Sequence, residues 1–347
     1  MSQFVNLKIK EVIHETPSAV SLVFDVPESL RKHFNFVPGQ YITLKAEING
    51  DEVRRAYSLS SSPEEKDIKV SVKKIADGTF SVYANEKLKA GDSIKAMFPE
   101  GKFKLHPQPN KVLNYMAFAA GSGITPIISM IKTVLSQEDR SKFVLIYGNR
   151  SNQEAMFTKE LLKLQSLHPE RLFIEFIYSR ENADGAHFGR IDRGTVNFAI
   201  KNKFKDEDFN DFFLCGPKPM IDTVREVLAE NGIEKESIHY ELFTSNEIEA
   251  SSNSGSTSIH VTLDDEEETI EGNKETTLLD NVLNADLDAP YSCKGGVCCS
   301  CICRVTEGKA EMKNNNLLTD SEVEEGLVLA CQAYPITDTV KIDFDDA

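Results

Sequence analysis

The 347-residue chain is predicted to be a multidomain protein: an antiparallel β-barrel, then an α/β domain with a parallel sheet, then a small acidic α+β domain. Three observations predict this. Short runs of alternating apolar and polar residues fill the chain as far as His106, and beyond it apolar strands alternate with helical patterns. Past a Ser-, Asn- and Gly-rich run the composition turns sharply acidic. The length suits two or three domains, each burying its own core.

The first domain is taken as 1–109. Its runs "VNLKIKEVI", "AVSLVFDV", "QYITLKAEI" and "DIKVSVKKI" have a period of two with turn residues between them, as barrel strands do. The second, 110–245, has a βαβ rhythm. "NYMAFAA" leads into a helix from Pro126, followed by "FVLIYGNR", the amphipathic "TKELLKLQSL", "LFIEFIYSR", and "DFFLCG" ahead of "KPMIDTVREVLAENG". Residues 246–257 read as a linker.

The third domain, 258–347, holds twenty Asp and Glu against six Lys and Arg, so it carries most of the chain's net charge of −16. That charge repels phosphate backbones and excludes nucleic acid as a partner. No membrane association is expected either, because the most apolar stretch, "MAFAAGSGITPIISMI", is broken by Gly, Ser and Pro. With no export pattern at its start, the chain is expected to be soluble and cytoplasmic.

Four of the seven cysteines lie within nine residues of "YSCKGGVCCSC". Clustering and an odd count argue for metal or catalytic thiols over disulfides. Cys293, Cys298 and Cys301 stand as C-x4-C-x2-C, and twenty-nine residues separate Cys301 from Cys331. This is the plant-type spacing for a [2Fe-2S] cluster on four thiolates. Gly295 and Gly296 let backbone N–H groups approach the sulfides. Cys299 and Cys303 fall outside the ligand pattern. The alternative is a zinc knuckle, although such sites usually pair two C-x2-C hooks and only one is present here.

In the barrel, "RRAYSLSS" supplies Arg55, Tyr57, Ser58 and Ser61: a guanidinium able to grip a diphosphate, a ring able to stack on a flavin, and hydroxyls beside it. Taken alone, the run fits a surface strand and turn equally well. Gly78, Thr79, Phe80 and Ser81 in "DGTFS" form a turn suited to approaching a phosphate. In the second domain, "AAGSGITP" follows a strand and opens a helix, with Gly121, Gly123, Thr125 and Pro126 where free N–H groups can cradle a pyrophosphate.

With "FVPGQYITL" and "FPEGKF", the barrel motifs resemble the flavin domain of the ferredoxin-NADP reductase superfamily. "CGPKPM" (Cys215, Gly216, Pro217) resembles that superfamily's second nicotinamide motif. From "TLLDNVLNADLDAPYSCKGGVCCSC" to "CQAYPITDTVKIDFD" the tail resembles the plant-type ferredoxin domain, which implies a β-grasp fold. The whole is most similar to reductases of multicomponent bacterial oxygenases, the phenylacetyl-CoA epoxidase type above all.

The resemblance implies FAD, a [2Fe-2S] cluster and NADPH, with NADH possible. Ser58 would hydrogen-bond near flavin N5, Cys215 would flank the nicotinamide, Glu241 would manage charge and protons there, and Phe243 would cover the flavin. Ser179 and Arg180, assisted by Arg150 and Arg190, suit a 2′-phosphate, while the adjacent Glu181 leaves NADH open. The implied function is an NAD(P)H-dependent reductase passing electrons to a terminal oxygenase complex, with a Rieske hydroxylase, a fatty-acyl desaturase or a diiron aromatic monooxygenase as alternative acceptors. Two readings of other classes are a non-catalytic iron–sulfur electron carrier and a zinc-binding interaction protein.

Overall fold

The computed structural model describes residues 4–243 and 254–346, which form two compact units: Asn6–Val53 with Tyr57–Phe243, and a C-terminal unit that also takes in residues 4–5 and 54–56. Most of the linker expected at 246–257 lies outside the described residues. Ser256 and Thr257, expected in that linker, instead open the strand Ser256–Leu263. Thr257 is buried there because its hydroxyl donates to the Thr337 carbonyl at 3.0 Å, a contact its polar neighbourhood does not announce.

In the first unit, six antiparallel strands form one sheet whose two ends are Asp51–Ser58 and Ile68–Lys73. An antiparallel bridge between Leu59 and Val70 joins those ends and closes the barrel. Alternation is clean in Ser93–Ala96, where Ile94 and Ala96 fill the barrel core, whereas Ala19–Asp25 is buried on both faces up to its last residue. The "DGTFS" segment differs from expectation. Helix Thr79–Glu86 begins there, because Phe80 and Ala84, four residues apart, both pack inward.

The rest of this unit is a six-stranded, wholly parallel sheet. Asn114–Ala120 stands near its middle, flanked by Lys142–Asn149 and Asp211–Gly216. Leu172–Tyr178 and Ala186–Phe188 extend one side, and Ile238–Leu242 the other. Helix Ile124–Gln137 is buried along nearly its whole length, which explains its high apolar content, while its buried Ser129 and Thr133 are satisfied by carbonyls. The chain reverses its direction of travel between Asn114–Ala120 and Asp211–Gly216. The carboxyl ends of those two strands therefore open the crevice where such sheets bind ligands.

The C-terminal unit is built on a five-stranded mixed sheet. Ser256–Leu263 pairs antiparallel with Glu266–Asn273 and parallel with Thr339–Asp343, and Ile302–Glu307 and Leu327–Leu329 complete it. Helix Leu278–Asn284 sends Leu278, Leu279 and Val282 into a core with Ile259, Val261, Val340 and Ile342, the β-grasp arrangement. Among the described residues no helix is long and apolar enough to cross a membrane.

Candidate functional site

Cys293, Cys298 and Cys301 lie on the loop between helix Leu278–Asn284 and strand Ile302–Glu307, and Cys331 follows strand Leu327–Leu329. Buried Gln332 holds the parts together by donating to the carbonyls of Lys294 (3.3 Å) and Cys331 (2.9 Å). Gly296 has φ +69°, and a Cβ there would stand 2.8 Å from Cγ of Gln332, so glycine is required. The Gly295 N–H donates to Cys293 Sγ at 3.3 Å.

The four thiols fall into two hydrogen-bonded pairs, Cys293 with Cys298 and Cys301 with Cys331. Among the described residues no three His, Cys, Asp or Glu side chains converge on a single ion. Two pairs match two irons with two protein thiolates each, whereas structural zinc needs all four on one ion. The buried Ser292 hydroxyl, which has no hydrogen-bond partner among the described residues, also fits a cluster able to accept from it. Neither Ser292 nor Gln332 stands out in the sequence, since a lone polar residue beside a motif carries no periodic signal. Cys303 is fully buried in the same apolar core as Cys301 and Cys331, but it belongs to neither pair.

In the crevice of the first unit, Cys215 lies opposite Glu241 on the neighbouring parallel strand and opposite Ala119 on the other side. Gly123 explains how helix Ile124–Gln137 reaches this point. A Cβ on it would stand 2.1 Å from the Cys215 carbonyl oxygen. Gly121, at φ +56°, has nothing within 4 Å of its would-be Cβ, which leaves the loop open to a ligand. The first turn of the helix holds Thr125, whose hydroxyl donates to the Ser122 carbonyl (3.0 Å), and Pro126. No side chain caps its N–H groups. Gly216 packs its backbone against Met220 and Ala120, and Pro217 precedes helix Lys218–Glu230.

Buried Ser58 ends strand Asp51–Ser58 and hydrogen-bonds Glu241. Tyr57 is half-buried with its ring 5.4 Å from that of Phe80, and Arg55 is exposed. Gly78 starts helix Thr79–Glu86 with no side-chain cap, so its first N–H groups, at exposed Thr79 and at Phe80, remain available to an anion. Ser81 is turned inward, accepting from the Ile75 N–H at 3.3 Å. The Ser61 hydroxyl accepts from the Lys69 N–H at 3.0 Å, inside the barrel wall. Phe243 is 38% exposed.

The nucleotide candidates meet at the carboxyl ends of adjacent strands. Asn149 pairs with Tyr178 and Tyr178 with Phe188, so Arg150, Ser179, Arg180 and Arg190 emerge side by side. The Arg180 N–H donates to the Arg150 carbonyl at 2.9 Å. Glu181 faces elsewhere, its carboxylate accepting from the Asn152 N–H at 2.7 Å.

Comparison with known proteins assigns each region. Residues 6–105 match the oxidoreductase FAD-binding domain, 118–226 the oxidoreductase NAD-binding domain, and 261–335 the 2Fe-2S iron-sulfur cluster binding domain. The chain is 38% identical to a subunit of 1,2-phenylacetyl-CoA epoxidase from Escherichia coli, over 99% of both chains. It belongs to the family of FAD- and [2Fe-2S]-dependent oxygenase reductases. Another member, the ferredoxin reductase component of 3-ketosteroid-9-alpha-monooxygenase from Rhodococcus rhodochrous, is 35% identical over 99% of this chain and 97% of its own. Phthalate dioxygenase reductase shares the fold over 98% of both chains, with a TM-score of 0.62 at 21% identity. The chain is thus an NAD(P)H-dependent flavin and iron–sulfur reductase.

In this reductase, Glu241 is half-buried as a residue, yet its Oε2 is shut off from solvent and has no hydrogen-bond partner among the described residues. Burial pushes the carboxyl up to about 8, against the hydrogen bond from Ser58, which pulls it down. Burial, and then the Glu241 charge, push the neighbouring Cys215 thiol well up, so it stays neutral. Because the fold binds the Glu241 proton more tightly than the unfolded chain does, the resulting stability is complete below the ordinary value of 4.5. It is lost as pH rises toward about 8. Glu241→Gln keeps the shape and removes the titration. Its melting temperature should therefore fall less than that of wild type across that pH window, and parallel curves for the two proteins would show that Glu241 is ionised throughout.

Proposed function

We propose that this reductase draws on NADPH and delivers electrons to a phenylacetyl-CoA epoxidase type of oxygenase. The near-complete alignment at 38% identity to the Escherichia coli epoxidase component supports the acceptor. The array of Arg150, Arg180 and Arg190 at adjacent strand ends supports the nucleotide. A bound flavin would supply the conversion of a hydride from the nicotinamide into single electrons for a cluster. The chain's own residues place these groups. Arg55, Tyr57 and the free N–H groups of the helix after Gly78 hold the flavin and its diphosphate. The Gly121–Pro126 loop takes the nucleotide pyrophosphate, and Phe243 covers the flavin. Ser58 and Glu241 hold a proton near N5, and neutral Cys215 lies beside the nicotinamide.

Cys293, Cys298, Cys301 and Cys331 hold the cluster. The reductase acts in the cytoplasm, where a reducing medium keeps such thiols available. Its third module begins at Ser256, following the first two at 1–109 and 110–245.

Serine at any of the four paired cysteines should abolish the visible absorbance of the cluster, while Cys299→Ser and Cys303→Ala leave it. Bleaching by Cys299→Ser but not by Cys298→Ser would shift the ligand set by one residue. Arg180→Ala should raise the Michaelis constant for NADPH by about one to two orders of magnitude and that for NADH little, because the substitution removes a charge-assisted hydrogen bond to the 2′-phosphate. An unchanged NADPH to NADH ratio would remove Arg180 from the site. Reconstitution with the oxygenase components of a phenylacetyl-CoA epoxidase should give epoxide formation that depends on this reductase and NADPH. Electron delivery to a Rieske hydroxylase alone would instead favour that acceptor.

A further inference from the structure

Helix Ile124–Gln137, which starts at the glycine loop, is bonded along its side to the barrel. Ser129 Oγ donates to the Ser61 carbonyl at 2.6 Å. One turn on, Lys132 Nζ donates to the Ser60 carbonyl at 3.1 Å, and it pairs with Glu65 of the barrel (2.9 Å) and with Glu160 of helix Thr158–Leu167 (2.7 Å). Both donors are shielded from water. Ser129 is fully buried, and the Lys132 side chain is 9% exposed.

The acceptors on the barrel side are themselves fixed. The Ser60 N–H donates to the Lys69 carbonyl at 2.7 Å, and the Ser61 hydroxyl takes the Lys69 N–H. Ser60 and Ser61 lie two and three residues past Ser58, the last residue of its strand. The helix that opens at the pyrophosphate loop and the strand end that faces Glu241 are therefore joined with little slack.

Stability alone does not call for this arrangement. Burying the Lys132 ammonium against the part-exposed carboxylates of Glu65 and Glu160 costs desolvation, and an apolar residue of similar size often serves as well or better. Fixed register is what buried polar contacts of this kind are best known to give. Hydride transfer is where register matters most, since a misplacement of about 1 Å can cost about a hundredfold in rate.

We propose that Ser129 and Lys132 are positioning residues for hydride transfer: they lock the nucleotide-binding helix to the strand that ends at Ser58 and so set the distance between the nicotinamide and flavin rings. The proposal rests on the reductase reading above. It concerns two residues that touch neither cofactor.

The test uses the full-length holoprotein as wild type, Ser129→Ala, Lys132→Met and the milder Ser129→Thr and Lys132→Arg. Anaerobic stopped-flow should show flavin reduction at saturating NADPH slowed about ten- to a hundredfold in Ser129→Ala and Lys132→Met. Binding of NADP+, read without turnover from flavin difference absorbance, should stay within about threefold of wild type, the split expected when only transition-state geometry is disturbed. The long-wavelength charge-transfer absorbance that NADP+ produces with reduced flavin should weaken, and Lys132→Arg should restore part of it. Hydrogen exchange at 59–62 should quicken while flavin content holds. The proposal is overturned if reduction rates match wild type while only the melting temperature drops, or if the whole loss lies in NADP+ binding. Should Lys132→Met not fold, Ser129→Ala and the two milder variants must show the same rate-specific loss, to a smaller degree. Failure of NADPH to reduce the wild-type flavin at all would defeat the reductase reading instead.

Discussion

One close approach holds the first unit together: a backbone oxygen stands where a side chain at position 123 would begin. With glycine there, helix Ile124–Gln137 settles directly onto the end of strand Asp211–Gly216. That contact fixes the height of the glycine loop above the sheet. It also places Cys215 opposite Glu241 in the next strand, and Glu241 in turn meets Ser58 from the barrel. A single methyl group at the contact would have to move a helix, and every distance in the crevice would follow it.

The two units handle charge by opposite means. In the crevice a carboxyl is kept dry and neutral, with one hydroxyl as its partner, so that a proton is held where water is excluded. Around the cysteines the thiols divide: pairing and backbone N–H groups pull Cys293 and Cys331 down, while pairing and burial push Cys298 and Cys301 up, so each pair favours one negative sulfur. At the far strand ends Arg150, Arg180 and Arg190 are exposed, with Arg150 3.9 Å from the Glu154 carboxylate. There Glu181 is occupied by a backbone N–H and does not neutralise them. Each region thus matches its dielectric setting to the charge it handles.

Much of this is legible in the sequence because it depends on spacing. Cysteine intervals, glycines after a strand, and the change from period two to a βαβ rhythm all follow the local geometry of the chain. Contacts between side chains and distant backbone leave no such trace. Ser129 and Lys132 bond to carbonyls 68 and 72 residues earlier, and nothing in "ITPIISMIKTVLSQ" marks them. The helix at Thr79–Glu86 is hidden by its short length and by the Asp-Gly before it, which signals a turn. Ser61 looks like part of a binding motif but is held within the barrel wall. Thr257 shows the same limit, since its polar surroundings resemble a linker while its hydroxyl has a buried partner.

The pairing of the thiols has a consequence for how the small domain holds its shape. Cys293 and Cys298 are near neighbours in the chain, but Cys301 and Cys331 enclose three strands and a helix. A metal-sulfur bridge across that pair is a cross-link closing a loop of about thirty residues, and by chain-entropy reasoning such a closure is worth about 3–4 kcal/mol. The inorganic group and the sheet would then share one folding free energy, and extraction of iron would loosen the whole β-grasp module along with its redox centre.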